Sequence, residues 1–433
     1  MDALQSSLIG TEAGALLAGD DDLARSLATR IIKPERNNFV ERPWGGLRLR
    51  ELKGFCALPD QKRVSGLGFG EVFEIAACSS DAEASQHPST VRLSDGSKVS
   101  LLALLAAHSG EILGADFAKR HGAEFPLLPK TLDIAELLSV QGHPPGHTEA
   151  YVICHADEGA TIRLGFRQDV EAEYLRRIVV EGRDLQARLI DLAGRERVRL
   201  QDWMAPWLAD RRAGVESVDL QARLPGVGAG EIAGLLSRLK AIYWSVLDDM
   251  NEIPVEPGQV IHNVNPARIA RASGREPAAE VHALGNPDGR EIVAIEIRRP
   301  GPTLRVWDNV RFPLREIDVE SALSVLNLKI TRPEEFLAER RPLAACENVF
   351  VSVNSEYFRI EHLCPSRGSD VAVRAGPPHY LHGLTGRSVL FTEGGDEIGS
   401  IDRGESALVP VRVGSYRVVT EGSAAEILRV SIP

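Results

Sequence analysis

What the chain lacks narrows the field first. Its five cysteines (Cys56, Cys78, Cys154, Cys346 and Cys364) are odd in number, widely spaced and without a Cys-x-x-Cys pair. They suit a reducing compartment better than a disulfide framework. No apolar run reaches the roughly 20 residues of a membrane-spanning helix. Residues 1–22 also lack the basic start and apolar stretch of a secretory leader, so a cytoplasmic protein with no membrane partner is expected. Positive charge is not in excess: 50 Lys and Arg stand against 61 Asp and Glu, a net charge of −11. Binding a phosphate backbone needs clustered cations, which argues against a general nucleic-acid partner. A small anionic substrate stays open, because a local Lys/Arg pocket can sit inside an acidic protein.

What is present is ordinary for a soluble globular protein, with 43% hydrophobic and 26% charged residues. A length of 433 residues allows two or three domains and a sizeable core. Residues 1–30 carry Leu16, Leu17, Leu23 and Leu27 at near-helical spacing and read as an N-terminal arm, either packed or frayed. GEVFEI (70–75) reads as a strand whose Glu71 and Glu74 cannot both be buried without partners, so one of them pairs with an Arg. Ser100 is placed to cap an apolar helix carrying Leu101, Leu104, Leu105 and Ile112. Residues 125–132 are expected as a strand carrying Lys130, and 151–166 continue in strand-like alternation. From 169 to 250 the apolar residues recur at three and four (Leu175, Ile178, Leu185, Leu189; later Ile232, Leu235, Leu236, Leu239). That is helical periodicity with charged, solvated faces. Strand texture returns at 252, and residues 350–433 form a second β-rich stretch broken by Gly, Asp and Pro turns. His379 and His382 are read there as ordinary polar positions in a loop.

The stretch SVQGHPPGHTEAY (139–151) is the most informative. Side chains at i and i+2 of a strand share a face, so Gln141 and His143 project together. The Pro144-Pro145-Gly146 turn lets Glu149 come back beside them. An amide oxygen, an imidazole nitrogen and a carboxylate oxygen all suit a divalent cation such as zinc. A His beside a turn also serves as a purely structural group, and this stretch alone leaves both open.

Its flanks add more. LLPKTLDIAELLSVQGHP (127–144) resembles the signature of type I mannose-6-phosphate isomerases, where a Lys lies nine residues before a Ser and Gln and His follow two and four after it. Here those residues are Lys130, Ser139, Gln141 and His143. The pair Thr148-Glu149 and the segment 157–160 (DEGA) follow in the family's order. EVHALG (280–285) is similar to its second metal-binding segment, and IVAIEIRRPGPTLRVWDNVR (292–311) to the segment with its active-site acid and arginine. RPWGGLRLREL (42–52) is similar to its opening, with Trp44 read as an aromatic anchor over a Gly turn.

The resemblance implies a mainly β fold with a helical insert: two cupin-type jelly-roll β-barrels plus an inserted α-helical subdomain. The implied division is an N-terminal arm (1–30), a catalytic barrel (31–166 and 251–345), a helical insert (167–250) and a C-terminal barrel without metal (346–433). It implies a Zn2+ cofactor on Gln141, His143, Glu149 and His282, with His262 the rival to His282. It implies a sugar-phosphate substrate, mannose 6-phosphate interconverted with fructose 6-phosphate through a cis-enediol, in a monomer or homodimer. Catalytic positions would be Glu296 as base, with Arg305 and His147; Lys130, Ser139 and Arg311 would bind substrate. Four departures stand out. His147 replaces a Lys, Arg311 replaces a Lys, Arg305 lies nine residues after Glu296 where the family usually has ten, and 24 residues separate Gly258 from His282 where the family has about a dozen. These keep two other readings in play, an isomerase for another aldose or sugar phosphate and a non-catalytic cupin that binds metal or sugar.

Overall fold

The computed structural model describes residues 10–54, 68–225, 227–264, 279–344 and 346–433. Cys56 and most of the polar loop before His282 lie outside them. The described chain is rich in antiparallel sheet, with helices against it.

Eleven strands build the unit that holds the site: β1 (Phe39–Arg42), β2 (Gly68–Phe73), β3 (Lys130–Ile134), β4 (Val140–Gly142), β5 (Glu149–Ala156), β6 (Thr161–Phe166), β7 (Met250–Pro254), β8 (Val260–His262), β9 (His282–Ala283), β10 (Ile292–Arg298) and β11 (Leu304–Trp307). They form a six-stranded sheet ordered β1-β2-β3-β10-β5-β8 and a five-stranded sheet ordered β11-β4-β9-β6-β7. The period-2 alternation of strands explains how the sheets pack. Leu132, Ile134, Tyr151 and Ile153 from the first sheet meet Ile162, Leu164 and Ile253 from the second in one apolar cluster. Side chains of opposite parity, such as Ala150, Val152, Ile295 and Ile297, face outward into another cluster.

The same parity sets where polar groups emerge. On β10, Ile292 and Ala294 belong to the inner cluster, and Glu296 and Arg298 continue that row. Lys130 shares the row of Leu132 and Ile134 on β3, and Glu149 that of Tyr151 and Ile153 on β5. The apolar interior therefore gives way, at one end, to a ring of buried charge.

The helices Ala172–Ala193 and Ala229–Asp248 lie where the helical periodicity falls. Ile178, Leu189, Leu236 and Leu239 cover the outward face of the second sheet at Val140, Val281 and Val306. Short helices at Glu12–Leu17 and Asp21–Leu27 bury Ala13, Leu16 and Ala24 against the helix Leu101–Ile112. That part of the N-terminal arm is thus packed. A six-stranded and a four-stranded sheet make up most of the remainder, and Ile360, Tyr380, Leu408, Leu428 and Val430 of the former lie against the outer face of the first site sheet.

Ser100 stands at the N-cap of the helix Leu101–Ile112, as expected, although its side chain makes no capping hydrogen bond. Two expectations are corrected. The strand expected over 125–132 begins only at Lys130. Pro126 and Pro129 remove two ladder donors there. His379 and His382 are buried on the strand His379–Thr385 rather than placed in a loop. Their ring nitrogens are satisfied internally, by Tyr416 at 2.7 Å and Tyr380 at 2.8 Å. Of the two carboxylates on the 70–75 segment, Glu71 pairs with Arg42 at 2.8 Å. Glu74 instead pairs with the fully buried Lys53 and accepts from Ser406 at 2.8 Å.

Candidate metal centre and adjoining cavity

Antiparallel pairing brings distant parts of the chain together here. His282 is the register partner of Gln141, Arg305 also faces Gln141, Arg298 faces Glu149, and Glu296 lies between Lys130 and Tyr151. The tight turn before Glu149 needs Gly146, at φ +84°, a conformation open to glycine at little cost.

His143, Glu149 and His282 are buried, and their ligand atoms all lie within 4.8 Å of one another. His143 Nε2 is 3.0 Å from Glu149 Oε1, and His282 Nε2 is 3.4 Å from Glu149 Oε2. The first approach lacks hydrogen-bond alignment, so His143 Nε2 and Glu149 Oε1 are both buried without a hydrogen-bond partner. Two such orphaned acceptors facing each other are costly unless a cation sits between them. The other ring nitrogens are anchored. His143 Nδ1 donates to the Pro302 carbonyl at 3.0 Å, and His282 Nδ1 to the Glu280 carbonyl at 2.9 Å. Anchoring Nδ1–H on a carbonyl leaves the Nε2 lone pair free for a metal. The Gln141 amide closes the group, with its nitrogen 3.1 Å from His282 Nε2 and its oxygen accepting from Ser139 at 3.0 Å. A half-turn of this amide brings its oxygen toward the cluster and leaves its nitrogen to donate to the Ser139 hydroxyl. The donor set, two imidazoles, one carboxylate and one amide, is of the kind that zinc takes.

Supporting groups surround it. Tyr151 donates its hydroxyl to Glu149 Oε2, and Asn263 lies 3.4 Å from that hydroxyl and 3.0 Å from His282 Nδ1. Burial would raise the Glu149 carboxyl, but the His143 and His282 imidazoles and Arg298 outweigh it and hold it well below the ordinary carboxylate range. Burial pushes His282 down to about 4.

Beside the cluster is a cavity of about 70 Å³ with Lys130, Ser139, Gln141, Glu296, Arg298, Arg305 and Arg311 in its wall. Burial pushes Glu296 up to about 8, the Glu149 charge adding to the effect and Lys130 and Arg298 opposing it. Lys130 is itself buried, 3.8 Å from Glu296 and 3.5 Å from Glu71, with its ammonium 4.6 Å from the Phe73 ring centre. Arg311 is held by Asp308 at 3.3 Å and by the Leu137 carbonyl at 2.7 Å. The Arg305 Nε has no hydrogen-bond partner.

The structure thus brings Gln141, His143, Glu149 and His282 together, with Glu296, Lys130, Ser139, Arg305 and Arg311 around the adjoining cavity. It does not bring in His262, whose ring packs against Phe358 at 6.0 Å, nor seat His147 in the cavity wall. The His147 ring lies over Gly301, so close that a Cβ there would overlap it. Trp44 is buried against Gly70 and also reaches the cavity. Sequence reading passed over Tyr151, took Arg298 only as a pairing partner for Glu296, and passed over Asn263. The first two carried a signal, since each lies two residues from a proposed site residue on the same strand face; Asn263 carried none.

No protein-family description and no curated protein matches the sequence. Solved structures do match in fold. A mannose 6-phosphate isomerase from Bacillus subtilis aligns with a TM-score of 0.57 at 17% identity, covering 93% of this chain and 99% of the other. A phosphomannose isomerase from Salmonella typhimurium, in a variant form, aligns with a TM-score of 0.57 at 15% identity over 93% and 99%. A mannose 6-phosphate isomerase bound with zinc and yttrium aligns with a TM-score of 0.57 at 16% identity over 93% and 98%. At these identities the similarity is one of fold.

Proposed function

We propose that the protein is a zinc-dependent aldose–ketose isomerase that interconverts mannose 6-phosphate and fructose 6-phosphate. The observation that carries this reading is the pair of orphaned, buried acceptors on His143 and Glu149, facing each other beside a cation-lined cavity that holds a second buried carboxyl, on Glu296. The named enzymes of the same fold support it. With it go two jelly-roll barrels, the domain division read from the sequence, and a small-molecule partner.

A zinc ion on Gln141, His143, Glu149 and His282 would polarise a substrate carbonyl or hydroxyl oxygen. The chain's own residues supply the rest. Glu296, with an affinity for protons near neutrality, takes a proton from one of C1 and C2 and returns it to the other. Lys130, 3.8 Å from that carboxylate, steadies the charge it carries after releasing its proton. Arg305 offers the unpaired donor for the negative charge of the enediol or the phosphate. The apolar interior beneath Leu132, Tyr151 and Ala294 keeps water from the reacting carbons.

A second reading, an isomerase of another aldose, is favoured by one observation. Lys130 is already engaged by Glu71 and Glu296, and the Ser139 hydroxyl by Gln141, which leaves both less free for a phosphate. A coupled assay on mannose 6-phosphate with zinc-loaded protein tests the first reading directly. Turnover supports it; zinc binding with turnover of another sugar only would transfer the case to the second. Zinc binding with no turnover of any sugar would refute both.

A further inference from the structure

We infer that Arg298 is a catalytic residue of this site: its guanidinium donates to the substrate oxygen that gathers negative charge while the proton moves between C1 and C2. The inference rests on the isomerase reading above and adds to it a residue outside the set read from the sequence.

Arg298 is buried at the end of β10, on the same face as Glu296, and lines the cavity. Its Nη1 is 3.8 Å from Glu149 Oε1, the carboxylate oxygen left without a hydrogen-bond partner. A fixed cation so close to a ligand carboxylate competes with the metal for that charge. A group placed only to help hold zinc would carry the opposite sign. The rest of the guanidinium is clamped. Nη2 reaches Asp81 at 3.3 Å and the Gly301 carbonyl, Nε donates to the Arg299 carbonyl at 3.3 Å, and Nη1 touches Thr303 Oγ1 at 3.3 Å. Those contacts fix the fork, with Nη1 the arm that lies beside the proposed metal ligand Glu149.

The charges support the same role. The buried acids Glu71, Asp81, Glu149 and Glu296 face Lys130 and Arg298, and Glu71 also pairs with Arg42 at 2.8 Å. Lys130 is nearest Glu71 and Arg298 is nearest Asp81. When Glu296 takes the proton, one unit of negative charge passes from its carboxylate to the substrate, and the clamped Arg298 guanidinium lines the cavity into which that charge moves. A preorganised donor of that kind acts without reorganisation cost, which is how such groups lower a barrier.

The test is Arg298→Gln, compared with the parent for kcat on sugar phosphate and for zinc affinity by chelator competition. The expected result is a kcat lowered about 100- to 1,000-fold with zinc affinity unchanged or tighter, because a repelling charge has gone. A kcat within threefold of the parent overturns the inference. So does a loss of zinc parallel to the loss of kcat, since that marks a structural support. Should the Gln variant fail to fold, Thr303→Val, which releases Nη1 without removing charge, is read the same way: kcat lowered more than tenfold with zinc retained supports the inference, and an unchanged kcat overturns it. An inactive parent would instead overturn the isomerase reading.

Discussion

Replacing Tyr151 by Phe removes one oxygen from the wall of the proposed metal site. The hydroxyl donates to Glu149 Oε2 and sits 3.4 Å from the Asn263 amide, and the ring is buried among Ile153, Leu132 and Ala294. Phe keeps the ring and its packing, so no cavity term arises. What is lost is one hydrogen bond to a charged acceptor, worth about 1.5–3 kcal/mol. The hydroxyl also fixes which way the carboxylate points, and outer contacts of this kind change metal affinity about 10- to 100-fold. That range corresponds to about 1.4–2.7 kcal/mol, so the two estimates agree. Zinc affinity, measured by competition with a chromophoric chelator at neutral pH, should therefore weaken about 10- to 100-fold. The near-ultraviolet circular dichroism of the metal-free variant should match the parent. A dissociation constant within threefold of the parent's would refute the assignment of Tyr151 as the group that orients Glu149.

Glu296→Gln should lower kcat by about 100- to 10,000-fold, the range for loss of a positioned acid–base group, with zinc content unchanged; turnover within tenfold of the parent would remove Glu296 from that role. The same carboxyl, pushed up to about 8 in the folded protein from an ordinary value of 4.5, binds a proton that the unfolded chain has released. Its contribution to the stability of the metal-free protein is therefore complete below pH 4.5 and falls as pH rises toward 8, a slope that urea midpoints should lose in Glu296→Gln. Burial pushes His379 and His382 down to about 3. Stability from these groups is present above pH 6.5 and is lost as pH falls toward 3, so midpoints should drop between pH 6.5 and 4 and drop less in a His379→Gln variant. Lys53→Met strands the buried Glu74 carboxylate, which also accepts from the Thr131 and Ser406 hydroxyls, and should destabilise the fold by about 3–5 kcal/mol; a change under 1 kcal/mol by urea titration would mean that the two hydroxyls suffice for Glu74.

How far the site could be read from sequence follows from how local each signal was. Gln141, His143 and Glu149 lie within nine residues, so strand parity and one turn were enough to group them. His282 is far along the chain, and its pairing with Gln141 is a matter of register that no local pattern encodes. It was named through a family resemblance. The helical stretch was legible because its apolar period is long and regular. The buried His379 and His382 were misplaced because imidazoles look polar in sequence; the Tyr416 and Tyr380 hydroxyls and, for His379, the Pro377 carbonyl make their burial tolerable. Lys53 escaped notice for a similar reason, since its partner Glu74 and the Gly404 carbonyl lie in different units of the fold. Arg298 carried a signal that went unused. A charged residue inside the otherwise apolar run IVAIEIR is as unusual as Glu296 two positions before it.

Metal content settles the central claim most directly. Protein refolded with excess zinc and then desalted should carry one zinc per chain by mass spectrometry under non-denaturing conditions. His143→Ala and His282→Ala should each carry none while remaining folded. Folded parent protein that holds no zinc, or variants that hold it as tightly as the parent, would contradict a metal centre on these residues.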